Sequence, residues 1–285
     1  MMNKELILNN NNKIPTLAYG TWLIPNKDAA RCVKDAIEAG YRHIDTAQAY
    51  QNEEGVGKGI KESGLSREDI YLTTKVMAEH KSYAKAKKSI DESLKKLGVD
   101  YIDLILIHCP QPWILFRSKK RFFKENKEVW KALEDAYFEG KVKAIGVSNF
   151  LIDDLENILE DCRVKPMVNQ ILCHIGETPT DVIKFCMEND IVVEAYSPIA
   201  HGAALKNDEV VKMAEKYNVS VAQLCIKYTL ELGLVSIPKA SKKEHIIDNM
   251  KLDFNISEDD MVELIKLNKM DYGLDSFWPV FHHKK

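Results

Sequence analysis

No two cysteines in this chain form a CxxC pair, and none lies among histidines at zinc-site spacing. The six, Cys32, Cys109, Cys162, Cys173, Cys186 and Cys225, are scattered singly. A disulfide framework and a structural zinc are therefore excluded as organising elements, no metal is expected, and the thiols read as buried side chains in a reducing compartment. Long apolar runs are missing too. No segment approaches the roughly 20 apolar residues of a membrane-crossing helix. The N-terminal MMNKELILNNNNKIP has only a short apolar stretch before an asparagine run, which predicts neither a signal peptide nor an anchor. The expectation is a cytoplasmic protein that does not use a membrane. A formal net charge of −3 gives no long-range pull on a polyanion, which argues against nucleic acid and for a small molecule as partner. No stretch rich in Pro, Gly or Ser divides the chain, so residues 1–285 are expected to form a single domain.

The familiar phosphate-binding glycine loops are absent as well. Gly55, Gly57 and Gly59 in EEGVGKGI invite a dinucleotide-fingerprint reading, but Ile60 stands where the next glycine is needed and no strand leads directly into the run. There is no Walker A match. Close helix packing at small residues accounts better for these glycines, and any nucleotide must be bound another way. The basic-aromatic run Phe116, Arg117, Lys119, Lys120, Arg121, Phe122 and Phe123 reads as a solvated loop with its rings folded against the body, in preference to a nucleic-acid or membrane patch. His282 and His283, beside two lysines, read as a polar tail and are assigned nothing.

What is present is a recurring strand-then-helix unit. ELIL, NNNN and KIPTL predict a β-hairpin, because asparagine tolerates the left-handed backbone of tight turns. The strand candidates that follow are TLAYG, YRHID, IYLTTK, YIDLILIH, VKAIGVS, KPMVNQ, IVVEAYS and LVSIPK. Several are continuous apolar runs, which suit parallel strands buried on both faces. Amphipathic stretches such as DAARCVKDAIEAG, KAKKSIDESLKKLG and EVWKALEDAYFEG lie between them, and several stop at glycine. Eight strands alternating with helices predict an α/β (β/α)8 barrel capped by the hairpin, with a doubly wound open sheet as the rival. QPWILFRSKKRFFKENK (111–127) and the last residues (270–285) lack clear pattern and are expected to be long loops at the C-terminal face, bordering the site.

Asp45, Tyr50, Lys75 and His108 each stand where an apolar run gives way to a loop. In a barrel those ends meet at one mouth. Singly, Lys75 also reads as a Schiff-base lysine and His108 as a core histidine. Together, with Asp45 and Tyr50 five residues apart across a strand end, they read as a proton-donating site. A buried phenol supplies the proton if its pKa comes down from about 10, and a nearby ammonium, held in place by Asp45, is expected to lower it. Tyr50 is then the proton donor of the group, and for the reaction implied by the resemblance below, a carbonyl taking a hydride at carbon and a proton at oxygen, it is the acid for reduction and the base for oxidation while His108 hydrogen-bonds the substrate oxygen.

These residues sit in stretches that resemble the aldo-keto reductases over nearly the whole chain: GYRHIDTAQAYQNEEGVG, LTTK, LIH followed by Pro110, GKVKAIGVSNF, VNQ, EAYSP and IPK, in that family's order and spacing. The chain most resembles the bacterial-type members, such as the prostaglandin F synthase and 2,5-diketo-gluconate reductase group. The resemblance implies a barrel that binds a nicotinamide cofactor in extended form without a Rossmann domain. It matches Asp45, Tyr50, Lys75 and His108 to the family's catalytic tetrad. It implies that Tyr196 stacks on the nicotinamide, leaving one face open for transfer of the 4-pro-R hydride, and that Ser148, Asn149 and Gln170 hold the carboxamide. Ser197, Pro198, Ile199 and Gly202 would line the pyrophosphate. Gly20, Thr21, Trp22 and Asp45 near the first strands, with Ile237 in the last, complete the implied contacts.

The adenosine end departs from the family pattern. Lys239 and Asn249 match, but Ala240 stands at the usual serine and His245 at the usual arginine, with Ser241 and Lys242 beside them. Arginine offers a permanently charged fork to a 2'-phosphate and histidine is mostly neutral near pH 7, so NADPH is expected with NADH possible. The substrate wall departs too. Met77 and Cys109 replace two large rings of many relatives, beside Trp22, Tyr50, His108 and Trp113, which predicts a roomier pocket for an aldehyde or ketone unless the wall has simply repacked. The family offers two alternatives to catalysis on this fold, a potassium-channel auxiliary subunit and a lens crystallin, and Lys75 offers a Schiff-base lyase. A monomer is the family-based expectation.

Overall fold

The computed structural model describes residues 4–267 and 270–281; the His282–His283 tail lies outside them. The hairpin forms as predicted. Strand β1 (Glu5–Ile7) pairs antiparallel with β2 (Lys13–Pro15), and Asn11 takes the left-handed conformation in the turn (φ 67°). The asparagines also fasten the hairpin to the barrel floor. Asn9 Nδ2 donates to Pro166 O at 2.9 Å, and Asn10 and Asn12 each donate to Lys143 O at 3.0 Å. Those carbonyls lie just ahead of barrel strands, so the hairpin covers the N-terminal end and leaves the C-terminal mouth open.

Eight parallel strands follow in sequential order: β3 (Ala18–Gly20), β4 (His43–Asp45), β5 (Tyr71–Val76), β6 (Leu104–Ile107), β7 (Ile145–Ser148), β8 (Val168–Leu172), β9 (Val192–Tyr196) and β10 (Val235–Ile237). The ring closes where Leu17 bridges Ser236, with Ser236 N donating to Thr16 O at 2.8 Å and Gly20 N to Pro238 O at 2.9 Å. Most strand residues are buried, as parallel strands covered on both faces must be. The outer layer contains α1 (Asn26–Ala39), α2 (Glu53–Lys61), α3 (Tyr83–Leu97), α4 (Phe123–Phe138), α5 (Ile152–Leu159), α6 (Thr180–Glu188), α7 (Asp208–Lys216), α8 (Val221–Glu231), α9 (Lys243–Asp248) and α10 (Glu258–Lys266).

The glycines of α2 are packing residues. A Cβ at Gly57 would stand 2.0 Å from Leu97 O of α3, and one at Gly55 would stand 2.3 Å from Asn26 O of α1. Only a side chain of hydrogen lets these backbones approach so closely. The loop expected over 111–127 is shorter than its sequence suggested, because α4 begins at Phe123. Its cations lie over its own rings: Arg117 over Phe116, Lys120 over Phe122 and Arg121 over Phe123. Arg121 further pairs with Asp153 and Asp154. Five of the six cysteines are buried and all six are free. Among the described residues no helix is long and apolar enough to cross a membrane, and no group of three or more His, Cys, Asp or Glu is placed to hold a metal ion.

Candidate active site

The strand ends open into a cavity of about 950 Å³ running from Trp22 and Tyr50 across the barrel mouth to Lys239 and Asn249. At its base, Asp45 ends β4, Lys75 is the penultimate residue of β5, His108 follows β6, and Tyr50 ends the 3₁₀ turn Gln48–Tyr50. Lys75 Nζ donates to Asp45 Oδ1 and Oδ2 at 2.7 and 2.8 Å, to Thr46 O at 2.9 Å and to Tyr50 Oη at 3.3 Å. The Tyr50 and His108 rings stand edge to face, 5.6 Å apart.

Electrostatics in this pocket are set by burial opposed by pairing. Burial works against the Lys75 ammonium, but Asp45 and Tyr50 outweigh it and hold the group above its ordinary value. Burial pushes the Tyr50 phenol up while Lys75 pulls it down, and the balance stays above the ordinary tyrosine value. The lowered phenol expected from sequence is therefore not what the site presents: desolvation of a phenolate exceeds the help from one ammonium. Burial, with Lys75 nearby, keeps His108 well below its usual range and thus neutral. Its Nδ1 is buried without a hydrogen-bond partner.

Polar side chains flanking Tyr50 position it. Gln48 Nε2 donates to Ser89 O and Ser93 Oγ of α3, while its Oε1 accepts from Met77 N at 3.0 Å just beyond β5. Asn52 accepts from Thr46 Oγ1 at 2.7 Å and donates to Thr21 O and Ile24 O. Neither residue is among those the sequence pattern assigns to the site. Their signal was the density of amide side chains in TAQAYQN, which bond nearby backbone in tight turns.

Across the mouth, Tyr196 Oη donates to Asn149 Oδ1 at 2.7 Å, and Asn149 Nδ2 donates to His108 O at 3.1 Å. Gln170 Nε2 reaches Asp45 Oδ2 at 2.9 Å. Asn149, Ser197, Ala200 and His201 all have left-handed backbone, with φ between 51° and 63°. Such strain gathers where a loop is shaped for a ligand rather than for stability. Most residues assigned to cofactor or substrate line this cavity: Gly20, Trp22, Ser148, Pro198, Ile199, Gly202, Ile237, Ala240, Ser241 and His245 join those already placed.

Three assigned residues do not line it. Thr21 turns its hydroxyl to Asp45 O at 2.9 Å, and Met77 and Cys109 are absent from the wall, with Cys109 wholly buried. The place beside His108 is taken by Trp113, whose ring stands edge-on to it at 5.1 Å. Gln111 holds that loop by donating to Ser118 O and Lys120 O and accepting from Arg117 N. Leu23, His201 and Leu205 also line the cavity unforeseen, while Trp278, from the C-terminal stretch expected to border the site, lines it and packs edge-on to Trp22 at 5.2 Å.

Comparison with known proteins bears on the same chemistry. The model of the aldo/keto reductase family matches residues 16–269. Glyoxal reductase of Bacillus subtilis is 42% identical over 92% of each chain. The 9,11-endoperoxide prostaglandin H2 reductase of Trypanosoma cruzi is 40% identical over 95% of each. The crystal structure of a Bombyx mori aldo-keto reductase in complex with NADP superposes with a TM-score of 0.85 at 30% identity, covering 99% of each chain.

Proposed function

The chain belongs to the aldo/keto reductase family, and from that premise we propose a division of labour for reducing an aldehyde or ketone with a nicotinamide cofactor. The cavity suits an extended dinucleotide: Tyr196 offers a flat wall, Gln170 an amide, the turn at Ser197–Gly202 backbone donors, and Lys239 an exposed cation at the far end. Bound there, the nicotinamide supplies the hydride that the carbonyl carbon needs. Tyr50 carries its proton at neutral pH and gives it to the carbonyl oxygen. Lys75 stabilises the phenolate left behind, and Asp45 keeps Lys75 charged and aimed. Neutral His108 orients the carbonyl against Tyr50 without repelling Lys75.

One observation carries this reading, the 3.3 Å contact between Lys75 Nζ and Tyr50 Oη. It also weighs against a lyase, because a fully buried, ion-paired Lys75 offers no free amine to a carbonyl. For the cofactor we favour NADPH. Lys239 and His245 border the end assigned to the adenosine and offer a 2'-phosphate an ammonium and an imidazole. For the substrate, Trp113 narrows the space next to His108 while Leu23, Leu205, Trp278 and Val280 line the outer cavity. That favours a slim carbonyl end on an apolar body. The test is loss of reduced-nicotinamide absorbance with NADPH and then NADH across a size series of aldehydes and ketones. Turnover of substrates branched beside the carbonyl as fast as unbranched ones would contradict the narrow entrance.

A further inference from the structure

One buried ionisable group has no part in this division of labour. Glu194, in β9, has 0% exposure and is the register partner of Gln170 in β8. Gln170 Nε2 donates to Asp45 Oδ2 at 2.9 Å and to Glu194 Oε2 at 2.8 Å. An amide nitrogen has two hydrogens, and here both are taken by carboxyl oxygens inside the barrel. Turning the amide over would set its oxygen against Asp45, a carboxylate already committed to Lys75. Only Oε1 of Gln170 is then left for a ligand in the cavity.

We propose that Glu194 is a positioning residue for the cofactor: by taking the second Nε2 hydrogen it locks the Gln170 amide, so that the site accepts at that point a ring substituent that donates a hydrogen bond and rejects one that only accepts. This rests on the reading that Gln170 faces the nicotinamide carboxamide. The chemistry of Glu194 suits the task. Burial, with Asp45 close by, pushes its carboxyl up to about 8, so at neutral pH it is an uncharged acid that accepts from Gln170 without placing a second anion beside Asp45. His43 does not compete for it. That ring has Nε2 at 2.9 Å from Thr73 Oγ1 and Nδ1 at 3.3 Å from Pro15 O, and burial keeps it neutral. Its Nε2 stands 3.7 Å from Glu194 Oε1, which has no hydrogen-bond partner. Remove the Glu194 acceptor, and one Gln170 N–H is buried unsatisfied while the other still holds Asp45, which favours a partial rotation of the amide that keeps the Asp45 bond and carries the freed hydrogen toward the cavity, where it can donate.

The experiment compares dissociation constants for NADP+ and its 3-acetylpyridine analogue, whose acetyl group accepts but cannot donate, by tryptophan fluorescence quenching of the full chain. The wild type binds NADP+ about tenfold more tightly than the analogue, the worth of one hydrogen bond in a desolvated site. Glu194→Gln keeps an acceptor toward Gln170 and keeps that ratio. Glu194→Met removes the acceptor at similar length and brings the ratio to within about threefold. An unchanged ratio in Glu194→Met overturns the proposal. If that variant does not fold, Glu194→Asp withdraws the acid by one methylene and lowers the ratio in the same direction, and its failure to do so is equally decisive. A wild-type ratio near one would instead overturn the premise that Gln170 meets the carboxamide.

Discussion

Lys75 and Asp45, on neighbouring strands, meet through both carboxylate oxygens at 2.7 and 2.8 Å, and the lysine has no exposure at all. A pair this deep has a desolvation cost that its mutual attraction only offsets. Its value lies in fixing a full positive charge 3.3 Å from the Tyr50 hydroxyl. Lys75→Met therefore leaves Asp45 buried without its counter-ion. Urea unfolding should show a loss of roughly 3–5 kcal/mol, and turnover should fall by about a hundredfold or more. Wild-type turnover in a folded Lys75→Met protein would contradict the role assigned to the ammonium.

Gln48 ties the turn carrying Tyr50 to α3 and to the end of β5 through three hydrogen bonds. Gln48→Ala should lower kcat by about tenfold while leaving cofactor affinity within about twofold, since misplacing the acid costs rate rather than binding. A raised cofactor dissociation constant with normal kcat would assign Gln48 elsewhere.

The candidate site was legible in sequence because the residues assigned to it sit where strand periodicity ends. HIDTAQAY, YLTTKV and LILIHCP place Asp45, Lys75 and His108 at or just past the ends of three successive strands, and a barrel leaves those ends no choice but to converge. The hairpin was legible because four asparagines stand between two apolar runs. Met77 and Cys109 misled because a strand end names the residues near a site, not the rotamers that face it. Loop 111–122 decided that matter by bringing Trp113 over His108, through Gln111 contacts no periodicity reports. The phenol's raised pKa was hidden for a similar reason, since burial is a property of the packed site.

Lys239 lines the far end of the cavity as an exposed cation, with His245 also in the lining, where the proposed binding mode sets the 2'-phosphate. Lys239→Met should raise the NADPH dissociation constant about tenfold and leave NADH within about twofold, while His245→Arg should tighten NADPH alone. Equal effects on both cofactors in equilibrium titrations would show that neither residue meets the 2'-phosphate.

Glu194 gives stability a definite slope with pH. Its folded value, about 8, lies above an unfolded value of about 4.3. Its contribution is complete below pH ~4 and is lost as pH rises toward 8, because the native state then holds a proton that the unfolded chain has released. The loss amounts to roughly 4 kcal/mol by pH 7. Glu194→Gln should flatten that part of the stability curve, and denaturant unfolding between pH 5 and 8 reads it directly. An identical slope in the variant would mean that Glu194 is ionised in the fold throughout.

The most direct measurement is single-turnover oxidation of NADPH by an aldehyde in wild type and Tyr50→Phe, with cofactor affinity measured in parallel. The geometry predicts that Tyr50→Phe binds NADPH within about twofold of wild type and loses the chemical step by about a thousandfold, the loss of a positioned acid. Turnover retained in Tyr50→Phe at full cofactor affinity would contradict Tyr50 as the proton donor.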